Sequence, residues 1–516
     1  MATQPWPPTS SKERIANYAA YQHVYEGQHK RVFVDNPSWG YECAAGTPYI
    51  VHNYCRAATR VLAARMLGEG VKVDVSTAGE SVQKFIDFVL DANDFQSIGL
   101  RAARMGLSLG DVVLKVWFDG TRIRISVVHP QNFFPTIDPI DATTFRSASI
   151  EQVLLREDDE QPLLHREIHE MRSTTQTSWI RHELYELQGS NVAGYEYDPR
   201  KDRVELVSYA PLASLKEEDD TGVPGLLLVH IPNTRFDEGA FWGTSDYDNV
   251  MAIQADINDL ATRTSMLLRK FSAPLIFGPP IQTDDAEVIL GEHRYFPTEP
   301  GEGAPFGVVS WDPKLTDAFQ TMDRHLQAFA STVGVDVEVL RQLESGAAMS
   351  GRALKIKQHT TGTTAQEKQH LFSAGLRQVV ELVTQLGRRC LPFLGWSGGA
   401  FLPVTAGQVK LGWSDGLPND DQETAELAAL RIQDGTLSRT RAIEMQDGVP
   451  TAEAAARYEE ILTEPQPSGS MIPSPGAFDE EATASAAAES SDSGAEAADV
   501  REATASENPA GRGAVD

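Results

Sequence analysis

Two apolar rows at helical spacing, separated by a stretch that cannot be helical, constrain this chain more than any other feature. The first row is Val250, Ile253, Ile257, Leu260, Leu267, Leu268 and Phe271, with Thr264 filling its one gap. Steps of three and four residues put such positions on one face of a helix. Opened at Thr244 or Ser245, with Ser245 and Asp248 spaced as a cap, the helix has about 27 residues and is roughly 40 Å long. Arg269 and Lys270 close it, where cations suit the helix dipole. The second row is Leu315, Phe319, Met322, Leu326, Phe329 and Val333. Asp312 is a good N-cap for it, Pro313 suits the first helical position, and Gly334 ends it. Between the rows, residues 272–312 carry short apolar runs punctuated by Pro and Gly, the pattern of a compact β-rich insertion. The simplest geometry is an antiparallel hairpin with a small β module at its tip. An ordinary helical hairpin inside a globular enzyme has the same rows, and pattern alone favours it.

The flanks predict a mixed α+β chain. Residues 10–27 read as a surface helix, with Ser10 and Glu13 as a capping box and Tyr18, Tyr21 and Tyr25 on one face. Helices are expected from His52 to Leu67 and from about Val82 to Leu109. Two strands meet at Asp119-Gly120, and further strands are expected at 150–156, 163–171, 178–187 and 203–209, so residues 30–240 form a mixed domain with an antiparallel sheet. A link begins near Leu340, and helix resumes at Ser350. Gly362 interrupts it, and a strong amphipathic helix spans Ala365 to Cys390. After a short strand at 408–413, residues 418–464 hold two or three small helices separated by Gly435 and Gly448. From Pro465 the composition collapses to Ala, Ser, Glu, Gly and Pro. Ten acidic residues there face two basic ones, so this tail contributes −8 to the net charge. So little apolar surface cannot repay the cost of ordering, and a disordered acidic tail is expected.

Composition excludes several classes. Across 516 residues, 45 basic and 73 acidic side chains give a net charge of −28, which rules out a protein that mainly grips DNA phosphates. No apolar run reaches 18 residues, so no membrane span is expected, and the N-terminus lacks a secretory pattern. Cys43, Cys55 and Cys390 are widely spaced and form no CxxC or zinc pattern, which reads as reduced, buried thiols. His165 and His169 are the nearest thing to a metal pair, yet HREIH is not HExxH. Asp284-Asp285 and Asp420-Asp421 read as turn and cap residues. No catalytic residue, metal site or cofactor is expected.

The stretch ESGAAMSGRALKIKQ, residues 344–358, first suggests a phosphate loop. But no strand leads into it, and Lys355 stands four residues after Gly351 without the Lys-Ser/Thr pair that a phosphate nest requires.

In this order, the segments carry a resemblance. The quoted pieces are YEGQH at the end of the Tyr-rich helix, NYCRAATRVLAARMLGEGV, GDVVLKVWFDG with VVHPQNFFP, IPNTRFDEGAFWGTSDYDNVMAIQADIND, SGRALK and PNDDQETAELAALRIQDGTLSRTRAIE. Together they cover most of residues 15–464, and around the rod–module–rod centre the chain resembles the portal proteins of tailed bacteriophages, in the SPP1-like branch found in actinobacterial phages. The resemblance implies a portal fold and a homo-oligomeric ring, usually dodecameric, at one vertex of the capsid. Double-stranded DNA passes through such a ring without sequence specificity. The partners it implies are the large terminase subunit, a head-tail adaptor, and major capsid and scaffolding proteins. The ring would be assembled in the host cytoplasm and carried in the virion.

Carried onto this chain, the resemblance makes residues 1–240 a wing, 244–270 and 313–333 stem helices, 272–312 a clip and 340–350 a tunnel loop. Residues 351–417 become a long connecting helix with a return to the wing, 418–464 a crown, and 465–516 remain a disordered tail. It places Leu343, Glu344, Ser345, Gly346, Ala347, Ala348 and Met349 beside DNA, followed by the basic Arg352, Lys355 and Lys357. It gives the terminase and adaptor contact to clip residues such as Asp284, Asp285, Glu287, Glu292 and Arg294. The apolar rows, Val250, Ile253, Ile257, Leu260 and Leu267 with Leu315, Phe319, Met322, Leu326 and Phe329, would lie between subunits. Three readings stand apart at this stage: the conduit, another capsid-associated head-morphogenesis or scaffold protein, and a metal-dependent phosphodiesterase or nuclease. For 343–349 the plain alternative is an inter-helix loop buried at a subunit contact.

Overall fold

The computed structural model describes residues 4–43, 48–68, 70–154, 162–188, 203–206, 218–235, 240–272, 275–278, 289–290, 293–297, 307–309, 315–345, 358–413, 421–447 and 451–463. The chain divides into two units, Met1–Asn419 and Asp420–Asp516.

A two-residue strand, β1 (Gln4–Pro5), leads to helix α1 (Lys12–Glu26) and the short helix α2 (His29–Phe33). The expected capping box does not form. The Ser11 amide closes a tight turn on the Pro8 carbonyl at 2.9 Å, and α1 starts at Lys12 without a side-chain cap. Its tyrosine face turns inward, with Tyr18 and Tyr21 buried and Tyr25 packed against the core. Helix α3 (Tyr54–Leu67) is capped by Asn53, whose side chain accepts from the Arg56 amide at 2.9 Å. After β2 (Val71–Asp74), the long helix expected near 82–109 proves to be two, α4 (Glu80–Ala92) and α5 (Phe95–Leu109). The break has a cause. Asp94 takes a left-handed φ of 47°, while the Asn93 side chain serves the Val89 and Ile123 carbonyls and the Ile125 amide.

Strands β3 (Asp111–Phe118) and β4 (Ile123–Val128) form the expected hairpin, its turn held by the Asp119 carboxylate on the amides of Thr121 and Arg122. Next come β5 (Phe133–Ile137), β6 (Phe145–Leu154), β7 (Leu163–Arg172), β8 (Thr177–Gln188), β9 (Arg203–Leu206) and β10 (Glu218–Asp220). They build an antiparallel sheet in the order β1-β9-β8-β7-β6-β5, with β10 also on β8. Strand β11 (Leu228–Pro232) joins the hairpin as β11-β3-β4. Lys115 of β3 meets Glu167 of β7 at 2.5 Å, so the two sheets share a polar contact. His165 and His169 face the same way along β7 but do not act together. His169 bonds Glu167 at 2.7 Å and His165 bonds His182 at 3.1 Å.

The remainder of this unit is organised by helices. Helix α6 (Met251–Ser272) is followed by β12 (Leu275–Gly278), β13 (Ile289–Leu290), β14 (His293–Pro297) and β15 (Gly307–Val309), in the order β13-β14-β12-β15 with β12 and β14 parallel. Then come α7 (Thr316–Val333), α8 (Val337–Ser345) and α9 (His359–Cys390). Gly362, expected to interrupt, lies inside α9. Its amide bonds the Gln358 carbonyl at 3.0 Å, and nothing near it demands a break. Phe372, Leu376, Val379, Val380 and Val383 make α9 the spine of the core, and β16 (Lys410–Trp413) returns to pair with β2.

Among the described residues, the second unit holds the expected small helices, three in number: α10 (Asp421–Gln433), α11 (Arg439–Asp447) and α12 (Thr451–Thr463), with Ala442 and Ala454 buried. The acidic tail lies outside the described residues. No described helix is long and apolar enough to cross a membrane.

Candidate functional site

The hairpin of α6 and α7 is the feature that the two apolar rows predicted. Helix α6 starts later than expected, at Met251, and its 22 residues span about 33 Å. Residues 246–250 are turn instead, held by Ser245 Oγ accepting from the Tyr247 amide at 3.0 Å and by bonds to other elements. Ser245 Oγ donates to the Ser108 carbonyl at 2.6 Å, the Asp246 amide bonds the Leu107 carbonyl at 3.1 Å, and Asp248 Oδ1 accepts from the Tyr21 hydroxyl at 2.8 Å. The predicted cap is thus a tertiary joint.

Along α6 the burial changes in kind. At its root Val250, Met251, Ala255, Ile257 and Ala261 are buried, and Ile253 packs against the same core. A second, polar row is buried beside them: Gln254, Asn258 and Thr262, spaced by four. Further along, the apolar row emerges from the chain's own core. Met266, Leu267 and Leu268 are 37%, 42% and 46% exposed, and Phe319 at the facing end of α7 is 54% exposed. Covering such a side chain is worth on the order of 1 kcal/mol. The other end of α7 is buried through Leu326, Phe329 and Val333.

The polar row engages a strap, residues 50–54, that runs into α3. Thr262 Oγ1 accepts from the Ile50 amide at 2.9 Å, Asn258 Oδ1 from the His52 amide at 3.0 Å, and Gln254 Oε1 from the Tyr54 amide at 3.1 Å. Gln254 Nε2 donates back to the His52 carbonyl at 2.6 Å. Asn258 Nδ2 donates to Nδ1 of His29, whose Nε2 donates to the Val24 carbonyl. Both ring nitrogens of the fully buried His29 are therefore engaged in its neutral form, and burial lowers its pKa.

At the far end of α7, Gly334 closes the helix as expected, in left-handed conformation with its amide on Ala330. The chain then folds straight into α8. Asp336 and Thr361 lock the starts of α8 and α9 together: the Asp336 amide bonds Thr361 Oγ1 at 2.9 Å, and Thr361 Oγ1 and its amide donate to Asp336 Oδ2 at 2.9 and 3.1 Å. Arg341 of α8 pairs with Asp323 of α7 and with Glu338 at 2.9 Å.

The root of the hairpin also carries two buried charge networks. Lys368 of α9 bonds Asp246 at 2.6 Å and Asn233 at 3.1 Å, and Asn233 donates to Asp246 at 2.7 Å. A cavity of about 400 Å³ opens beside them, reaching Thr332 and Thr364. Asp111, fully buried at the start of β3, accepts from the Tyr18 hydroxyl at 2.6 Å and the Gly243 amide at 2.8 Å, and pairs with His230 at 2.7 Å. Burial and this carboxylate raise the Tyr18 pKa well above its ordinary value.

The structure therefore brings Ile253, Ile257, Leu260, Leu267, Phe319, Met322, Leu326 and Phe329 onto two packed helices, with Val250 immediately before the first and Leu315 immediately before the second. It does not begin a link at Leu340. Helix α8 runs to Ser345 and carries Leu343 and Glu344, because Val335 and Leu340 bury against the core. Gly346, Ala347, Ala348, Met349, Arg352, Lys355 and Lys357 lie outside the described residues, as do Asp312, Pro313, Asp284, Asp285, Glu287 and Glu292. Arg294 lies on β14 in register with Ile289. Among the described residues, no three His, Cys, Asp or Glu side chains gather as a metal-binding group.

Sequence reasoning missed the polar row, the Asp111 network and the Lys368 pair. Only the first had a signal, since amide and hydroxyl side chains every four residues beside an apolar stripe mark a helix face that must bond something.

The phage portal protein model of the SPP1 Gp6-like family matches residues 9–468. No curated protein sequence matches the chain. Among solved structures, it is similar to a chain from the neck of an empty GTA particle computed with C6 symmetry, at 12% identity and a TM-score of 0.40 over 86% of this chain and 95% of that one. A chain from the virion of a native gene transfer agent particle matches at 12% identity and a TM-score of 0.39, over 87% and 96%. One from the neck of the native particle computed with C12 symmetry matches at 13% identity and a TM-score of 0.34, over 77% and 91%.

Proposed function

This chain belongs to the SPP1 Gp6-like family of phage portal proteins, and we propose on that premise that it assembles as a ring, a dodecamer, at one capsid vertex. Double-stranded DNA enters and leaves the head through the ring. Helices α6 and α7 act as the stem, and residues 272–312 as the clip that meets the large terminase during packaging and the head-tail adaptor afterwards. Residues 1–240 form the wing, and 418–464 the crown. Major capsid and scaffolding proteins surround the ring. Residues 343–349, the first of which end α8, face the DNA.

The observation that carries this reading is the apolar row that outruns the chain's own core. Met266, Leu267, Leu268 and Phe319 are exposed at one end of a hairpin whose other end is buried. Copies packed side by side would cover them. The charge of −28 fits a conduit, because every phosphate contact made with Lys or Arg would have to be broken as DNA slides.

Negative-stain electron microscopy of the purified chain tests the reading. Rings with a central hole are expected, and Leu267→Glu with Phe319→Glu should abolish them while leaving the monomer's thermal stability within about 0.5 kcal/mol. Monomers that cleave DNA in the presence of a divalent metal would refute it.

A further inference from the structure

The strap on α6 has a geometry that does more than bury polar groups. Four residues of helix rise about 6 Å, so each member of the polar row stands opposite every second residue of the strap, whose last step, His52 to Tyr54, closes a tight turn with the Tyr54 amide on the His52 carbonyl at 3.0 Å. Thr262, Asn258 and Gln254 can therefore meet the amides of Ile50, His52 and Tyr54 as successive rungs, running antiparallel. Tyr41 adds an outer contact, its hydroxyl donating to Asp256 at 2.5 Å.

The rungs fit in one register only. One step beyond them along the same row stand Val250 and Met266, neither of which has an amide or hydroxyl to offer. A slide of α6 by one step would leave at least one amide of the strap without its side-chain partner. It would also take Asn258 away from His29, which is itself held by Val24 of α1. The strap continues into α3, which packs on α5 and α9 in the body of the protein.

We propose that this strap is the axial anchor of the hairpin: it carries load along α6 into the body of the chain, and Gln254, Asn258 and Thr262 are the positioning residues that set its register. The proposal rests on the portal reading, in which DNA moves parallel to the stem and pulls on it. Load then grows with the length of DNA already packed, and the anchor matters most near the end of packaging.

The test uses particles assembled with full-length chain carrying Thr262→Val, which removes one rung at nearly constant shape, or Asn258→Leu, which removes a rung and the link to His29. Rings should form in both. Particles retaining full-length DNA should fall about tenfold, the equilibrium equivalent of one partly buried amide left unpaired, while particles loaded with roughly half-length DNA stay near native yield. A merely structural role would lower both yields together, and that result overturns the proposal. Native yields at both lengths, or Thr262→Val chains that fail to form rings, overturn it as well. If the unaltered chain forms no rings, the portal reading fails instead.

Discussion

Alanine at Gly110 and at Gly120 makes a matched pair that separates backbone strain from packing. The two glycines flank β3 and adopt nearly the same φ, 93° and 95°. An alanine held there costs about 1–2 kcal/mol in backbone strain at either site. Their surroundings differ completely. A Cβ at Gly120 meets nothing within 4 Å, whereas one at Gly110 would stand 2.7 Å from the Ser245 amide nitrogen and 2.9 Å from the Thr244 carbonyl carbon. That backbone cannot yield easily. Gly243 N is held by Asp111 at 2.8 Å, Thr244 N by Thr234 at 2.9 Å and Asp246 N by Leu107 at 3.1 Å. Overpacking of this sort adds about 1–3 kcal/mol. Gly120→Ala should therefore lose about 1–2 kcal/mol and Gly110→Ala roughly 2–5 kcal/mol in all. Urea denaturation followed by tryptophan fluorescence, with unchanged m-values, measures both. Losses within about 0.5 kcal/mol of each other would refute the argument that the 243–246 backbone is a fixed wall.

Lys368→Met should cost about 3–5 kcal/mol in the same assay, because it strands the buried Asp246 carboxylate, and adding Asp246→Leu should recover much of that loss. Acid should destabilise the chain in a defined window. Burial, with Arg14 nearby, lowers the His129 pKa to about 4, and burial also lowers those of His29 and His169. The unfolded chain then binds protons that the folded chain refuses, so stability is complete above about pH 6.5 and falls as pH drops toward 4. His129→Gln should flatten that fall by about 2–3 kcal/mol, read as urea midpoints at pH 7 and pH 4.5.

Where the sequence misled, the cause was in part local and in part tertiary. Ser10 with Glu13 and Ser245 with Asp248 both have cap spacing, yet neither pair caps a helix. Pro8 draws the first into a tight turn, and Ser245 Oγ caps only the turn before α6, on the Tyr247 amide, while Ser108, Leu107 and Tyr21 claim other groups of the second. The pattern from Val82 to Leu109 is helical throughout, and only the demands of Ile123 and Ile125 on Asn93 explain the break. Gly362 looked like a stop, but a glycine with open space around it and a satisfied amide stops nothing.

By itself the sequence determined the two helices of the hairpin, the β-rich segment joining them and the antiparallel strands before them. Those depend on period, turn chemistry and caps, which act over a few residues. It determined the family too, through the order of its segments. The tertiary structure alone decided which part of each apolar row is buried and which stays exposed, since burial depends on what else reaches the row. It alone decided that Gln254, Asn258 and Thr262 grip Ile50, His52 and Tyr54, because partners some two hundred residues apart leave no local trace. A buried amide must find a partner, but only the folded chain determines which one lies within reach.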